Sequence, residues 1–242
     1  MRTVLALLFI LHNTLAFTQK EDHIWLLGDE EFDIILPDRA ADTTRGATNF
    51  DFSYDPVRIY YDPNRLWDLA GGNCSISDKD GKLQAYSNGQ VIINADNEPI
   101  ADTINYGNQP SWFCNEWEIN NYGNANMAIP VGLLGWQRAI ILPVGDQYYA
   151  IYNSWDYCTN SYFRLAYSSF IISNEYPDGK LLQRDVEVNI GLVNDTLGTT
   201  IYSVKHGNGR DWWLITFNRA QTILLTYLVD ISGIHLVSQQ PT

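Results

Sequence analysis

Ser-Asp-Lys-Asp-Gly-Lys, residues 77–82, decides the fold because two later segments of the chain repeat its pattern. Gly145 in Pro-Val-Gly-Asp-Gln and Gly209 in Gly-Asn-Gly-Arg-Asp follow Gly81 at successive intervals of 64 residues. Each glycine follows a short β-favouring run and precedes another that contains aromatic residues. Glycine supplies the positive φ that tight type I′ and II′ hairpins require. The pattern therefore predicts structural turns at Gly81, Gly145 and Gly209, each at the corner of a repeated antiparallel unit.

Short β-favouring runs bounded by Gly, Asn, Asp and Pro extend along the rest of the chain, and helical periodicity is nearly absent. Turns with Gly179 or Gly233 precede the last strand of the later two units. Four strands joined by hairpins are typical of a β-propeller blade, so the fold class is all-β, a β-propeller-like stack of four-stranded antiparallel blades. The predicted strands are 24–27, 57–61, 82–86, 91–94, 138–142, 147–152, 163–167, 200–205, 212–217, 223–229 and 234–237.

One β-propeller-like domain is expected over residues 23–242, with blades near 70–100, 136–185 and 199–238. A blade cannot bury both faces alone, so blades must stack around an axis. Propellers have four or more blades, which makes three to four blades an incomplete set. Either residues 23–65 complete it, or the chain is the first part of a longer propeller. We favour the second, because an open propeller leaves a bare sheet edge.

Charge and the N-terminal segment indicate where the protein acts. The net charge of −13 excludes nucleic acid and anionic membrane surfaces as partners. Residues 1–16 read as a signal peptide, with Arg2, an apolar core at residues 4–11 and the small residues of Thr-Leu-Ala at 14–16. No other stretch has the roughly 18 apolar residues of a membrane span. The expected location is secreted, extracellular or at the cell surface.

Residues 72–89, Gly-Asn-Cys-Ser-Ile-Ser-Asp-Lys-Asp-Gly-Lys-Leu-Gln-Ala-Tyr-Ser-Asn-Gly, resemble a run found in a family of secreted Bacteroidetes β-propeller proteins. These WD40-like proteins are associated with type IX secretion and gliding motility. Residues 133–143 resemble the family's second blade, 204–213 its third and 23–28 its mature N-terminus. The resemblance implies an extracellular or cell-surface propeller without assigned catalytic residues. The chain departs from the family in lacking a C-terminal sorting domain and in carrying an aromatic insertion around 105–126.

The insertion holds one candidate ligand site, formed by Trp112, Glu116, Trp117 and Glu118. In an extended strand the two carboxylates share one face about 7 Å apart. Glycosidases use carboxylate pairs at such separations, and the neighbouring indole rings are suited to stacking on sugar. The alternatives are a carbohydrate- or peptide-binding loop and an insertion that packs over a blade.

His206, Arg210 and Asp211 form a second candidate, a polar site that flanks the turn at Gly209. The alternative is that turn chemistry alone explains these residue types. Asp78 and Asp80 beside Gly81 do not follow the ligand order of an EF-hand, which favours a plain hairpin turn. The motifs of nucleophilic hydrolases, P-loops, dinucleotide-binding folds and zinc proteases are missing.

We therefore expect no catalytic residues, metal or cofactor. The three cysteines are Cys74, Cys114 and Cys158. An odd number leaves at least one thiol unpaired, and we prefer Cys114 with Cys158 as a disulfide. The expected function is a non-catalytic binding or scaffold module with an unknown protein or glycan ligand. The alternative is a carbohydrate-binding or glycosidase-like extracellular protein.

Overall fold

The computed structural model describes residues 21–28, 47–65, 69, 73–89, 91–101, 138–156, 161–192 and 197–242. These residues form strands and turns, which confirms the all-β class. None of them belongs to a helix that is long and apolar enough to cross a membrane. The strands are β1 (Ile24–Leu27), β2 (Ala47–Asp51), β3 (Arg58–Asp62), β4 (Cys74–Ser77), β5 (Leu83–Ser87), β6 (Ile92–Asn94), β7 (Pro99–Ala101), β8 (Ala139–Val144), β9 (Gln147–Asp156), β10 (Ser161–Ile171), β11 (Lys180–Val188), β12 (Leu197–Lys205), β13 (Trp212–Asn218), β14 (Ile223–Asp230) and β15 (Gly233–Pro241).

Each sheet is an antiparallel meander of strands that follow one another along the chain. The first sheet contains β1, β2 and β3, and the second contains β4 to β7. The third contains β8 to β11 and the fourth β12 to β15. The three four-stranded sheets therefore run over residues 74–101, 139–188 and 197–241, beside the ranges 70–100, 136–185 and 199–238 that the repeat predicts.

The sheets stack in series, with a separate hydrophobic core between each consecutive pair. Strand β1 packs on β4, β4 on β8, and β12 on β8, β9 and β10. Apolar side chains alternate along these strands, so each sheet offers a neighbour one face of Ile, Leu, Val and Tyr. Representative buried residues are Ile24, Tyr86 and Ile93 in the first core, Ile76, Ile141 and Phe170 in the second, and Ile151, Leu214 and Tyr227 in the third.

Gly81, Gly145 and Gly209 lie in the first hairpin turn of the second, third and fourth sheets. Their φ angles are 88°, 62° and 75°, in the left-handed region that glycine enters without steric cost. Residues of the Gly145 and Gly209 turns line the same groove. The charge of Asp78, in the Gly81 turn, raises the pKa of Tyr148 beside Gly145, so the Gly81 turn lies near them. We call this side of the stack the turn end.

Three strands lie outside the predicted set: β2, β4 and β7. Strand β4 reads Cys-Ser-Ile-Ser and β2 reads Ala-Thr-Asn-Phe-Asp, so neither is rich in the residues that favour strands. Strand β7 begins at a proline, which its position at the edge of the sheet tolerates. Strand β11, the predicted last strand after the Gly179 turn, is also an edge strand and carries four exposed or half-exposed charged side chains. These strands form because neighbouring strands provide their hydrogen bonds.

One residue before β1 connects distant parts of the stack at the turn end. The Ser77 N–H donates to the Glu21 carbonyl oxygen at 2.7 Å, and the Lys205 ammonium lies 3.4 Å from Glu21 Oε1. Ser77 belongs to the second sheet and Lys205 to the fourth, with the third sheet between them in the series. The ends of the first strands of the second and fourth sheets, β4 and β12, are therefore linked through this one residue.

Candidate functional site

An open groove of about 440 Å³ lies at the turn end between the third and fourth sheets. Three hairpin turns form its walls, those between β8 and β9, β12 and β13, and β14 and β15. Lys205, the last residue of strand β12, also lines it. The lining residues are Pro143, Val144, Gly145, Lys205, Gly209, Arg210, Asp211, Asp230, Ile231 and Ser232.

Two of the three residues predicted around Gly209 line this groove. The Arg210 guanidinium is 79% exposed and lies 3.7 Å from the Asp211 carboxylate, which is 15% exposed. Asn208 Oδ1 accepts hydrogen bonds from the Arg210 and Asp211 backbone N–H groups at 3.0 and 3.1 Å. Turn chemistry thus explains Asp211, while Arg210 presents its charge at the groove rim.

His206, the third residue of that cluster, is part of the turn and is not among the groove-lining residues. Its backbone N–H donates to the Asp211 carbonyl oxygen at 2.8 Å, and its Nδ1 accepts from the Asn208 N–H at 3.1 Å. The imidazole packs against the Trp213 ring with centroids 4.8 Å apart. These contacts fix the hairpin and leave His206 without a position on the groove.

Asp230, Ser232 and His235 form a polar cluster that the sequence reasoning missed. Ser232 Oγ lies 2.8 Å from His235 Nε2, and Asp230 Oδ1 lies 3.6 Å from the same nitrogen. In a catalytic triad the carboxylate holds the opposite ring nitrogen, Nδ1, so this arrangement does not activate the serine. The Ser232 hydroxyl, donating to Asp230, is the main cause that lowers the pKa of that carboxyl. The cluster closes the β14–β15 turn.

A second group of polar side chains lies beside the groove, near the ends of strands β4 and β12; we call Glu21, Ser77, Tyr148 and Lys205 the axial cluster. Lys205 is shared with the groove, and its ammonium also lies 5.0 Å from the centroid of the Trp212 ring. The Trp212 Nε1–H donates to the Pro143 carbonyl oxygen at 2.8 Å, which ties the fourth sheet to the third. This bond fixes the aromatic surface on which Lys205 rests.

Two buried atoms of the axial cluster, Ser77 Oγ and Glu21 Oε2, have no hydrogen-bond partner. Ser77 is 1% exposed. Burial raises the pKa of Tyr148, and the charges of Asp78 and Glu21 raise it further, so the phenol stays neutral. The axial cluster thus joins one carboxylate, one ammonium and two neutral hydroxyls.

Two residues of the axial cluster, Ser77 and Lys205, occupy the same position of the 64-residue repeat. Ser77 and Lys205 each stand four positions before a turn glycine, Gly81 and Gly209. Each is also the last residue of the first strand of its sheet, so both lie at the turn end. No comparable signal marks Glu21, because it belongs to no repeat.

Acidic residues at the other turns are occupied by backbone contacts. Asp78 Oδ1 accepts from the Asp80 and Lys82 N–H groups, each at 2.9 Å, as expected for a hairpin turn rather than a calcium loop. In the described part of the chain, no group of three or more His, Cys, Asp or Glu residues is placed to hold a metal ion.

Cys74 forms no disulfide, and burial raises the pKa of its thiol to about 12. The remaining predicted site residues, Trp112, Cys114, Glu116, Trp117, Glu118 and Cys158, lie outside the described residues.

Comparison with known proteins gives little guidance. No protein family matches the chain, and no curated protein matches it. Among solved structures, it is similar to a mutant α-L-arabinanase of Cellvibrio cellulosa, with 15% identity and a TM-score of 0.39 over 79% of this chain and 67% of the arabinanase. A likeness at this level says nothing about the activity of this protein.

Proposed function

We propose that the protein is a non-catalytic binding module of propeller type, whose ligand site is the groove at the turn end. The observation that carries the proposal is that three hairpin turns of the third and fourth sheets line one groove. The side chains of Lys205, Arg210, Asp211 and Asp230 bring charges of both signs to it. Ligand sites commonly occupy such concave places between structural units.

The four sheets act as blades in this proposal. Each contributes an antiparallel meander, and each consecutive pair encloses its own core. Radial repetition of this kind is how a propeller covers the flat faces of its sheets. Further strands at the first sheet, or a further blade beside the fourth, would complete the ring.

Reversible binding fits the groove better than catalysis does. Both carboxylates of the groove are engaged within their own turns. Asp211 forms an ion pair with Arg210, and Asp230 accepts a hydrogen bond from the Ser232 hydroxyl. A catalytic acid or base needs a shifted pKa suited to proton transfer near neutral pH, and the pKa of Asp230 is shifted downwards, away from that range. Two cations, Lys205 and Arg210, balance the two anions, so the groove favours a polar ligand with little net charge.

We also propose that the module acts outside the cell. The signal-peptide pattern of residues 1–16 and the resemblance of residues 72–89 to secreted Bacteroidetes propellers support this location. Expression of the full chain in a Gram-negative host, followed by cell fractionation and N-terminal sequencing, tests it. A cytoplasmic product that retains Met1 contradicts it.

The binding proposal is tested by probing the chain from residue 17 on a glycan array and a peptide array. We expect saturable binding to one of the two arrays that weakens about tenfold in Arg210→Ala, because the rim charge contacts the ligand. Asp96→Asn is the matched control, since Asp96 lines a separate polar groove of about 450 Å³ between the second and third sheets. Equal weakening by both variants, or no binding to either array, refutes the proposed site. Release of reducing sugar from a bound glycan refutes its non-catalytic character.

A further inference from the structure

Ile231 lies exposed in the β14–β15 turn, whose other residues follow ordinary turn chemistry. Asp230 Oδ1 accepts a hydrogen bond from the Ser232 N–H at 2.8 Å, and Gly233 has a φ angle of 131°. Tight turns favour Asp, Ser and Gly, but they do not favour isoleucine. The Ile231 side chain is 69% exposed, the largest fraction among the large apolar side chains of the described residues. The requirements of the turn therefore do not explain this residue.

The contacts of Ile231 place its side chain in the groove. Its carbonyl oxygen accepts a hydrogen bond from the Tyr149 hydroxyl at 3.4 Å. Ile231 Cδ1 lies 3.3 Å from the point where a β-carbon at Gly145 would stand, so the side chain reaches the β8–β9 turn. Pro143 and Val144, at the end of strand β8, line the same groove. An aliphatic surface therefore lies beside the charged residues of the groove.

The charged residues restrict the net charge of a ligand. The groove contains two cations and two anions, Lys205 with Arg210 and Asp211 with Asp230. The Lys205 ammonium also pairs with the Glu21 carboxylate, 3.4 Å away. A highly charged ligand of either sign would meet like charges in the groove as well as opposite ones. The groove therefore favours a neutral ligand that offers hydrogen-bond acceptors to the cations and donors to the anions.

A peptide segment combines these properties. Its backbone is neutral and carries one donor and one acceptor at every residue except proline, and its side chains supply apolar groups. A saccharide also offers donors and acceptors, but no aromatic residue is among the described residues that line the groove, so a sugar ring finds no ring to stack on. The aliphatic surface around Ile231 suits an apolar side chain, because contact removes both from water.

We infer that the groove binds a neutral peptide segment and that an apolar side chain of the peptide packs on Ile231. In this arrangement Arg210, which is 79% exposed at the rim, donates hydrogen bonds to peptide carbonyl oxygens. The Asp211 carboxylate keeps its hydrogen bond from the Asn208 amide when Arg210 turns to the peptide. This inference rests on the proposed function, because it assigns a ligand class to the same groove.

The test probes the chain from residue 17 on an array of neutral, acidic and basic peptides, each with and without one leucine, and on a glycan array in parallel. We expect neutral peptides that contain leucine to bind, with affinity about tenfold lower in Ile231→Asn, because the apolar contact is lost. Ile59→Asn is the matched control. Ile59 is 60% exposed in strand β3 and is not among the groove-lining residues, so this variant should bind as the unmodified chain does.

Methyl NMR gives a second measurement that does not depend on a weakened variant. The Ile231 Cδ1 resonance, assigned by its absence from the spectrum of Ile231→Val, should shift when a bound peptide is added. The Ile59 resonance, assigned in the same way from Ile59→Asn, should not shift. Unfolding midpoints show whether each variant is folded, and Ile231→Asn should keep the midpoint of the unmodified chain because asparagine is favoured in turns.

The outcomes separate this inference from the proposed function. Binding to glycans alone, weakened by Arg210→Ala, overturns the peptide assignment and leaves the groove as the ligand site. Peptide binding that Arg210→Ala weakens but Ile231→Asn does not, with an unshifted Ile231 methyl resonance, overturns the role of Ile231 and also leaves the groove in place. Binding confined to acidic or to basic peptides overturns the neutral assignment. An absence of binding on both arrays refutes the inference and the proposed function together.

Discussion

Replacement of Arg65 by methionine is expected to loosen the first sheet from the second. Arg65 is 4% exposed, and its Nε and Nη2 groups donate to Asn49 Oδ1 of strand β2 at 3.2 and 3.0 Å. Its Nη1 donates to Asn97 Oδ1 in the β6–β7 turn at 3.0 Å, and its guanidinium carbon lies 4.7 Å from the centroid of the Tyr86 ring. One side chain therefore holds groups from both sheets.

The expected loss in free energy of unfolding is about 3–5 kcal/mol, the usual cost of removing one partner from a buried, hydrogen-bonded charge network. Methionine fills most of the volume, so the loss comes chiefly from the unpaired oxygen of Asn49, which is fully buried, and from the Asp62 carboxylate 3.5 Å from Nε. Arg65→Lys keeps the charge but cannot reach both asparagines, and we expect it to lose about 2 kcal/mol.

Urea unfolding followed by tryptophan fluorescence measures these differences. Arg58→Met is the control, because Arg58 is an exposed arginine of strand β3 whose guanidinium lies over the Tyr54 and Tyr60 rings, and its loss should stay below about 1 kcal/mol. If Arg65→Met costs no more than Arg58→Met, then the buried network does not hold the two sheets together and the description of their interface is wrong.

Four further predictions concern single positions. Gly145→Ala and Gly209→Ala should each lose about 1–2 kcal/mol in urea unfolding, since both glycines have positive φ; an unchanged midpoint contradicts this. Ser77→Ala should keep or gain up to about 1 kcal/mol without ligand, because it removes an unpaired hydroxyl, and a clear loss would reveal a hidden partner. Cys74, with its pKa raised to about 12, should resist iodoacetamide at pH 8 until the protein is unfolded, as peptide mass spectrometry can show. The pKa of Asp230 in the folded protein lies below its ordinary value of 3.8, so the ionised carboxylate stabilises the fold above pH 3.8, and this stabilisation is lost as the pH falls further. The melting temperature of Asp230→Asn should therefore fall less steeply with decreasing pH than that of the unmodified chain. An equally steep fall counts against the prediction.

The backbone architecture could be predicted because its signals are local. Glycine at a fixed interval marks hairpins whose φ angles only glycine adopts easily, and the aromatic runs beside them form strands wherever a neighbour exists. The strands that the sequence did not reveal have few local signals. Strand β4 contains one strongly β-favouring residue, Ile76, and it forms through pairing with β5 and packing on β8.

The candidate site was less predictable, because its residues meet only through the tertiary fold. The residue types of Arg210 and Asp211 suggest a site at this turn, and both residues line the groove. Glu21 and Lys205 are separated by most of the chain, and only the stacking of four sheets brings them within 3.4 Å. His206 is the opposite case. Its residue type suggests a ligand-binding role, but its contacts lie within the hairpin turn and with Trp213.

The ends of the first strands explain why polar groups gather at the turn end. The residue that ends the first strand of the three four-stranded sheets is Ser77, Val144 and Lys205 in turn. Val144 is buried in the core between the third and fourth sheets. Ser77 and Lys205 are polar at the same place, and both contact Glu21, Ser77 through its backbone N–H and Lys205 through its ammonium. The Ser77 hydroxyl is buried without a hydrogen-bond partner, so stability alone would favour an apolar residue there.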